Sequence, residues 1–318
     1  MAPETAGDPM SRQTWVRSSL RTLSERLSER GHTVSAPTVG RVLKSLKFSL
    51  RVNAKRVEAR SKHPDRAAQF EAITAQRTTF TQAGLPIISV DGKKKELIGN
   101  FKHAGRAWGQ AAEAVHVHDF LADSQGRAVP YGVYDLTHNQ GFVAVGSSGD
   151  TAAFAVDAIA AWWDGPGYQA FPTADQVLIL ADGGGSNSWQ GRLWKLQVQE
   201  QLCDRRGLTV TVCHYPTGCS KWNPIEHRLF GPISINWAAK PLRTFDTLLA
   251  ALRGTTTRTG LTVEARRLDG SYPTGQRVSN AEMNRLNLTR HDPCPKWTYT
   301  LRPRHPVAAP TSNRELIA

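Results

Sequence analysis

The sequence predicts a mixed α/β protein whose sheet is flanked by helices and preceded by an all-helical region. Three short apolar runs come first in the central region, and the second and third are typical of a hairpin across a polar turn. Helical and strand patterns then alternate, which is the arrangement that builds a parallel sheet. At 318 residues, the chain is long enough for a sizeable core and two or three domains.

The helical region spans residues 1–66 and contains two predicted helices. In residues 19–30, three leucines recur on one helical face, and Gly31 ends the helix because glycine readily adopts the left-handed conformation. A second helix begins at residues 35–38, and apolar residues follow at i, i+3, i+4 and i+7 from Val39. Two short amphipathic helices joined by a tight turn resemble a helix-turn-helix.

Polar and basic side chains on and after the second helix are the predicted DNA contacts: Thr38, Arg41, Lys44, Lys47 and Arg51. We expect Arg41 near bases, and Lys44 or Lys47 near phosphates. The alternative is a solvated face on an ordinary helical hairpin. Residues 11–66 favour DNA binding, because they hold 14 Lys and Arg against four Asp and Glu, a balance of +10.

The core domain is predicted over residues 85–240, after a linker helix at residues 67–84. Its strands and helices are placed from runs of β-branched and apolar residues and from helical spacing. The predicted order is strand 87–90, strands 131–136 and 141–146, helix 151–164, strand 177–181, helix 189–206 and strand 208–213.

Two of these strands end in an aspartate that is followed by glycine. Asp91 comes directly after residues 87–90, and Asp182 comes directly after residues 177–181. Each Asp-Gly pair taken singly fits an ordinary turn. Parallel strands that bury both faces bring their carboxyl ends to one edge, where ligands gather. We therefore expect both carboxylates at one site.

A third carboxylate opens the helix that follows the last predicted strand. Asn223 is a predicted N-cap, Pro224 fits the first helical position, and Glu226 falls in the first turn. A capping box, in which Glu226 only reaches back to the Asn223 amide, is the alternative. Together with the two aspartates, Glu226 supplies hard oxygen ligands that suit magnesium or manganese. The three carboxylates are interpreted as a metal site.

In their order, Asp91, Asp182 and Glu226 resemble the DDE triad of transposases and integrases with a ribonuclease-H-like core. The Asn-Pro-Ile-Glu at residues 223–226 resembles the Glu motif of bacterial insertion-sequence transposases allied to the mariner superfamily. Longer phrases are similar to the ISAzo-type group of these transposases: residues 89–101, 180–187 and 255–261. The similarity runs over residues 20–299. Members carry an additional N-terminal segment, so we expect this chain to begin inside the DNA-binding region and to be incomplete.

This resemblance implies a ribonuclease-H-like fold and a DNA transposase. It also implies two divalent ions, Mg²⁺ or Mn²⁺, with Asp91 bridging both ions and Asp182 and Glu226 each completing one shell. Water would cut at the transposon end, and the 3′-OH released there would attack target DNA. The implied partners are double-stranded terminal repeats and target DNA, bound by a homodimer or larger assembly in the bacterial cytoplasm, at the nucleoid.

Two other functions stay open from the sequence. One is a catalytically inactive regulator that binds terminal repeats, as a truncated transposase would. The other is a general metal-dependent nuclease with the same fold and no strand transfer. A requirement for specific DNA ends separates these functions from one another.

Basic residues also follow the helical region. Lys93, Lys94 and Lys95 come just after Asp91 and are predicted to hold the scissile strand by its phosphates, with a solvated surface run as the alternative. The predicted C-terminal extension, residues 241–318, is also basic and contains interspersed aromatic residues. These aromatic residues fit either nucleic-acid binding or a cover for the core edge.

The composition limits the other classes of protein. A net charge of +13 and a pI near 9.9 favour a polyanionic partner. Four cysteines without a C-x-x-C pair predict neither a disulfide framework nor a zinc site, and they fit reduced thiols. The most apolar predicted helix is too short to cross a bilayer, so no membrane partner is expected. No P-loop motif is present in the sequence.

Overall fold

The computed structural model describes residues 5–7, 14–16, 18–48, 65–108 and 110–305. The chain divides into two compact units, Met1–Glu58 and Ala59–Ala318. Among the described helices, none is both long and apolar enough to cross a membrane.

The first unit contains a short antiparallel strand pair, β1 (Thr5–Gly7) and β2 (Thr14–Val16), followed by helices α1 (Leu20–Glu29) and α2 (Ala36–Ser45). Each helix starts at a serine, Ser19 or Ser35, whose hydroxyl accepts a hydrogen bond from a backbone N–H in the first turn. Both helices lie where the sequence predicts them.

Helices α1 and α2 pack against each other, and their buried residues are Leu23 and Val39. The predicted apolar face of α2 is only partly buried. Val42 and Leu46 lie on that face, yet the two residues are 47% and 54% exposed. The helix predicted from this spacing is therefore present, and two residues of its apolar face remain exposed.

The second unit is built on one mixed sheet. Its strands are β3 (Ile87–Gly92), β4 (Glu96–Leu97), β5 (Arg127–Asp135), β6 (Gln140–Gly146), β7 (Gln176–Ala181), β8 (Thr209–His214), β9 (Thr262–Arg267), β10 (Leu288–Arg290) and β11 (Thr298–Leu301). The strand order is β10-β11-β8-β7-β3-β5-β6-β9, with β4 paired to β5. Antiparallel strands β3, β5 and β6 lie beside parallel strands β3, β7 and β8, which is the ribonuclease-H-like arrangement that was predicted.

The helices of this unit are α3 (Arg66–Gln82), α4 (Ala152–Trp162), α5 (Tyr168–Ala170), α6 (Arg192–Gln197), α7 (Gly231–Asn236), α8 (Phe245–Arg253) and α9 (Asn280–Asn284). Alternate residues of β7 face opposite sides of the sheet, because side chains alternate along a strand. Ile179 joins the core that includes α4 and α6, whereas Leu178 joins Ile73 and Phe80 of α3. Helices α7 and α8 contribute a further apolar cluster with β5 and β6. Helices therefore flank the sheet.

The segment after residue 240 extends the sheet at both edges. Strand β9 runs parallel to β6 at one edge, and β11 runs antiparallel to β8 at the other. Its aromatic side chains Tyr272, Trp297 and Tyr299 are buried. The sequence left two interpretations open, nucleic-acid binding or a cover for the core edge. Because these aromatic residues are buried, they cover the core edge.

Candidate active site

The register of two neighbouring strands places the two aspartates side by side. Strands β3 and β7 are parallel, with Val90 opposite Ala181, so Asp91 on β3 and Asp182 directly after β7 are the next residues along the chain. Apart from the buried Ser89 and the partly buried Gln176, the residues of both strands up to that point are buried and apolar, and each aspartate is half-buried. A buried parallel pair thus delivers two carboxylates to one edge of the sheet, as the sequence predicts.

Glu226 reaches the same edge from a different element. The helix begins at Pro224, runs through a π-helical turn at Glu226–Phe230 and continues as α7. The Glu226 side chain hydrogen-bonds the Asp91 carboxyl group, and its charge acts on both aspartates. Asp91, Asp182 and Glu226 are therefore neighbours in space.

The predicted N-cap role of Asn223 is wrong. Its side chain bonds strand β3 instead: Oδ1 accepts from Ser89 Oγ at 2.5 Å, and Nδ2 donates to the Val90 carbonyl at 3.3 Å. Ser89 Oγ then accepts from the backbone N–H of Ile225 at 3.1 Å, so a strand residue caps the helix. Because the Glu226 side chain hydrogen-bonds Asp91, its role is not confined to a capping box.

Two glycines let this helix lie directly on the sheet. Gly132 pairs with Asp91 across β3 and β5, and a Cβ there would stand 2.6 Å from Phe230 Cε1 and 2.9 Å from Ile225 Cδ1. At Gly141, on β6, a Cβ would overlap Leu229. A Cβ at either position would force a neighbouring side chain of this helix to shift, because real Cβ atoms do not approach neighbours so closely. The helix that carries Glu226 therefore packs closer to strands β5 and β6 than it could with larger residues at these two positions.

Crowding of the carboxylates changes their acidity. Burial raises the pKa of Asp91 to about 8, and the negative charges of Asp182 and Glu226 add to the rise. Burial also raises the pKa of Asp182, against hydrogen bonds from Gly184 and Asn187 that lower it. A hydrogen bond between the carboxyl groups of Asp91 and Glu226 requires a proton on one of them. In the described part of the chain, no three His, Cys, Asp or Glu side chains form a ready-made metal site.

A directed chain of hydrogen bonds supports the backbone of Asp182. Trp194 Nε1 donates to Tyr299 Oη at 2.9 Å, Tyr299 Oη lies 3.1 Å from His214 Nε2, and His214 Nδ1 lies 2.9 Å from the Asp182 carbonyl. The carbonyl only accepts, so His214 donates through Nδ1 and accepts through Nε2. Burial lowers the pKa of His214 to about 4, which keeps this imidazole neutral.

The three lysines after Asp91 differ in their surroundings. Lys93 has a side chain only 9% exposed, with Nζ 4.7 Å from the centre of the Trp237 ring and 3.9 Å from Glu96, and burial lowers its pKa. Lys94 and Lys95 are exposed, and Lys95 Nζ lies 4.0 Å from Asp150. All three line a cleft of about 810 Å³ that also includes Lys102, His103 and Arg127.

The predicted DNA contacts of the first unit lie on or beside α2. Arg41, Lys44 and Lys47 are exposed, and Lys47 adopts a positive φ of 63° just past the helix end. Thr38 is half-buried and receives a hydrogen bond from the Arg41 guanidinium at 3.1 Å. Arg51 falls outside the described residues.

Several residues around the carboxylates were not singled out from the sequence. They are Ser89, Tyr131, Asn187, Trp194 and Tyr299. Ser89 and Asn187 lie inside the phrases that carry the resemblance, so polar residues next to the acids were a usable signal. Tyr131 and Trp194 are typical of core aromatics, Tyr299 is one of the aromatics of the C-terminal extension with two open interpretations, and only the fold shows which partners their polar atoms have.

A ribonuclease-H-like sheet with three neighbouring carboxylates at the end of its central strands defines the class of this protein. The sequence profile of the Rhodopirellula transposase DDE domain family matches residues 1–303, and the chain belongs to this family. That match confirms the transposase resemblance seen in the sequence.

Solved structures of the Mos1 transposase are similar to this chain at low sequence identity. The Mos1 transposase paired-end complex with the left transposon end is similar over 73% of this chain, at 12% identity and a TM-score of 0.42. The Mos1 mariner paired end complex with Mn is similar over the same 73%, at 13% identity and a TM-score of 0.42. This chain covers 64% of each of those chains. No curated protein matches the sequence.

Proposed function

We propose that this protein is a DNA transposase that binds the terminal repeats of an insertion sequence and catalyses strand cleavage and strand transfer. The observation that carries the proposal is the meeting of Asp91, Asp182 and Glu226 at one edge of a ribonuclease-H-like sheet. Membership of a transposase family supports it.

The donor set suits Mg²⁺ or Mn²⁺, which prefer carboxylate oxygens. Asp91, at the centre, would contact both of two ions, and Asp182 and Glu226 would each contact one. When bound, such ions lower the pKa of water and stabilise the leaving oxygen of a phosphodiester. The raised pKa values of Asp91 and Asp182 fit this assignment, because buried and clustered carboxylates hold protons until a cation replaces them.

The chain's own residues then position the acids and the DNA. Ser89 and Asn223 tie the Glu226 helix to strand β3, so the relative placement of Glu226 and Asp91 does not depend on a flexible loop. Lys94 and Lys95 are the exposed cations next to Asp91, and we assign them to the phosphates of the scissile strand. Lys93 instead stabilises the cleft wall through Trp237 and Glu96.

Repeat recognition is assigned to the first unit. Helix α2 carries exposed Arg41 and Lys44, which suit a helix that lies in the major groove with Arg41 near bases. Lys47 and Arg51 would contact phosphates, and Thr38 orients Arg41 through its hydrogen bond. We further propose assembly as a homodimer or larger complex on DNA, acting in the bacterial cytoplasm at the nucleoid.

The test is cleavage of a labelled duplex that bears the terminal repeat of the element, with and without Mn²⁺, beside Glu226→Gln. We expect metal-dependent nicking at the repeat end, and its loss in Glu226→Gln with binding retained. Binding without nicking in the unmodified protein would point to an inactive regulator. Nicking at random positions of any duplex would point to a general nuclease.

A further inference from the structure

A second hydrogen-bonded pair meets the side chain of Asp182. Asn187, five residues further along the chain, hydrogen-bonds the Asp182 carboxyl group through its side chain and is 1% exposed. Tyr131, fully buried on strand β5, donates from its hydroxyl to Asn187 Oδ1 at 2.6 Å. Strand β5, which is separated from β7 by β3, is thus connected to Asp182 through the side-chain amide of Asn187.

The donors and acceptors in this pair have only one consistent arrangement. The Tyr131 hydroxyl occupies Asn187 Oδ1, so the amide is turned with its Nδ2 donor toward the carboxylate. Burial raises the pKa of Tyr131 well above its ordinary value, so the phenol keeps the proton it donates. An inverted amide would instead place Asn187 Oδ1 against the Asp182 carboxylate, so that two acceptors face each other.

The glycines between Asp182 and Asn187 make the contact possible. Gly184 donates its backbone N–H to Asp182 Oδ1 at 3.3 Å, and Gly185 has a φ of +59°, a conformation that glycine adopts without strain. The chain then forms a 3-10 turn at Gly185–Asn187 that brings the amide back to the aspartate. The Gly-Gly-Gly-Ser-Asn sequence therefore folds into a tight turn that places the Asn187 side chain beside Asp182.

We propose that Asn187, locked by Tyr131, is a positioning residue that fixes the orientation of the Asp182 carboxylate for a divalent cation. This inference rests on the proposed function, because it assigns a role to partners of one proposed metal ligand. Partners that hold a ligand in place reduce the reorganisation needed to bind a cation, and their loss weakens metal binding or activity by about 10- to 100-fold.

The same strand offers a matched control. Tyr134 is also fully buried on β5 and donates to the side-chain oxygen of an asparagine, Asn139 Oδ1, at 2.9 Å. That pair lies at the hairpin between β5 and β6, and Tyr134 is opposite Ser89 on β3, two residues before Asp91. Tyr134→Phe thus removes the same kind of hydrogen bond from the same strand without touching Asp182.

The experiment compares full-length Tyr131→Phe, Asn187→Ala, the double variant and Tyr134→Phe. Free Mn²⁺ is titrated by electron paramagnetic resonance, and cleavage is measured across Mn²⁺ concentrations. We expect Tyr131→Phe to raise the half-saturating Mn²⁺ concentration about 10-fold, with cleavage restored at high Mn²⁺. We expect Asn187→Ala to have at least that effect. Adding Tyr131→Phe to Asn187→Ala should change little more, because one residue acts through the other.

Equal Mn²⁺ affinity in Tyr131→Phe, Tyr134→Phe and the unmodified protein would overturn the inference, as would fully additive effects in the double variant. Thermal unfolding of both tyrosine variants separates a loss of stability from a loss of metal affinity. Asp182→Asn is measured beside them: if it leaves Mn²⁺ binding and cleavage intact, the proposed function itself fails at this residue. If it abolishes both while the Asn187 variants behave normally, only the positioning role fails.

Discussion

Ser89 Oγ donates a hydrogen bond of 2.5 Å to Asn223 Oδ1, joining the residue two places before Asp91 to the residue three places before Glu226. Both side chains are fully buried. The distance between two of the three carboxylates is therefore set by a contact that lies behind them, between a strand and the start of a helix.

Replacing Asn223 by alanine should weaken both the fold and the site. The change leaves the Ser89 hydroxyl and the Val90 carbonyl without their partner, and buried polar groups left unsatisfied cost about 1–3 kcal/mol. We expect that loss in urea unfolding, together with slower cleavage per folded molecule. Thr79→Ala removes an exposed hydroxyl bond within α3 and should change neither. Normal cleavage in a destabilised Asn223→Ala protein would show that the Ser89–Asn223 contact stabilises the fold but does not set the geometry of the carboxylates.

Asp91→Asn should remove strand cleavage and leave binding of terminal repeats intact. Asp91 is the central acid, and its loss removes the carboxylate shared by both proposed ions, so we expect a fall of more than about 100-fold in the cleavage rate. Gel shift on the repeat duplex measures binding in parallel. Asp269→Asn, at a side chain 75% exposed, is the control and should cleave normally. Retained cleavage with magnesium in Asp91→Asn would refute the triad.

Gly132→Ala should push the Glu226 helix off the sheet. Its new Cβ would collide with Phe230 and Ile225, and overpacking of this kind costs about 1–3 kcal/mol. Urea unfolding and cleavage both report the change. Adding Phe230→Leu removes ring atoms from the collision and should restore part of the stability. Gly231→Ala, with only an ordinary contact at 3.5 Å, should be neutral. A Gly132→Ala protein as stable as the parent would contradict the close packing.

His214 should make the fold sensitive to mild acid. Its pKa is about 4 in the folded protein and about 6.5 in an unfolded chain, so the unfolded state binds the extra proton between these values. The free energy of unfolding therefore falls as pH drops from about 6.5 to about 4, by up to about 3 kcal/mol, and this contribution then levels off.

Urea unfolding of the parent and of His214→Gln over this pH range measures that contribution. Asp91 and Asp182 have raised pKa values and act in the opposite direction, so the difference between the two proteins is the quantity to compare. Glutamine can donate to the Asp182 carbonyl and accept from Tyr299 without taking up a proton. Identical pH dependence in both proteins would exclude His214 as the acid-sensitive group.

Much of the fold could be predicted from the sequence because its signals are local. The run of five apolar residues before Asp182 is continuous, the run before Asp91 is interrupted only by Ser89, and the serines that begin α1 and α2 precede clear helical spacing. Strands such as β11 were not predicted, since four residues carry little periodicity and the strand is defined by its pairing with β8.

The triad positions could also be proposed from the sequence, whereas the hydrogen bonds that hold the three acids in place could not. Asn223 has the residue type and position of a helix cap, but Ser89, 134 residues earlier in the chain, takes over the cap once β3 lies beneath the helix. Tyr131 and Asn187 are separated by 56 residues and meet only through the sheet. Such contacts depend on register, which no local pattern in this chain reveals.

Strand β11 is synthesised after all three acidic residues, although it supplies a residue that supports one of them. Asp91, Asp182 and Glu226 all leave the ribosome before residues 298–301, yet Tyr299 completes the hydrogen-bond chain behind Asp182. A nascent chain that stalls ahead of this strand would present every acidic residue on an unfinished sheet. We therefore expect a chain terminated before residue 298 to cleave DNA poorly, although it carries all three acids.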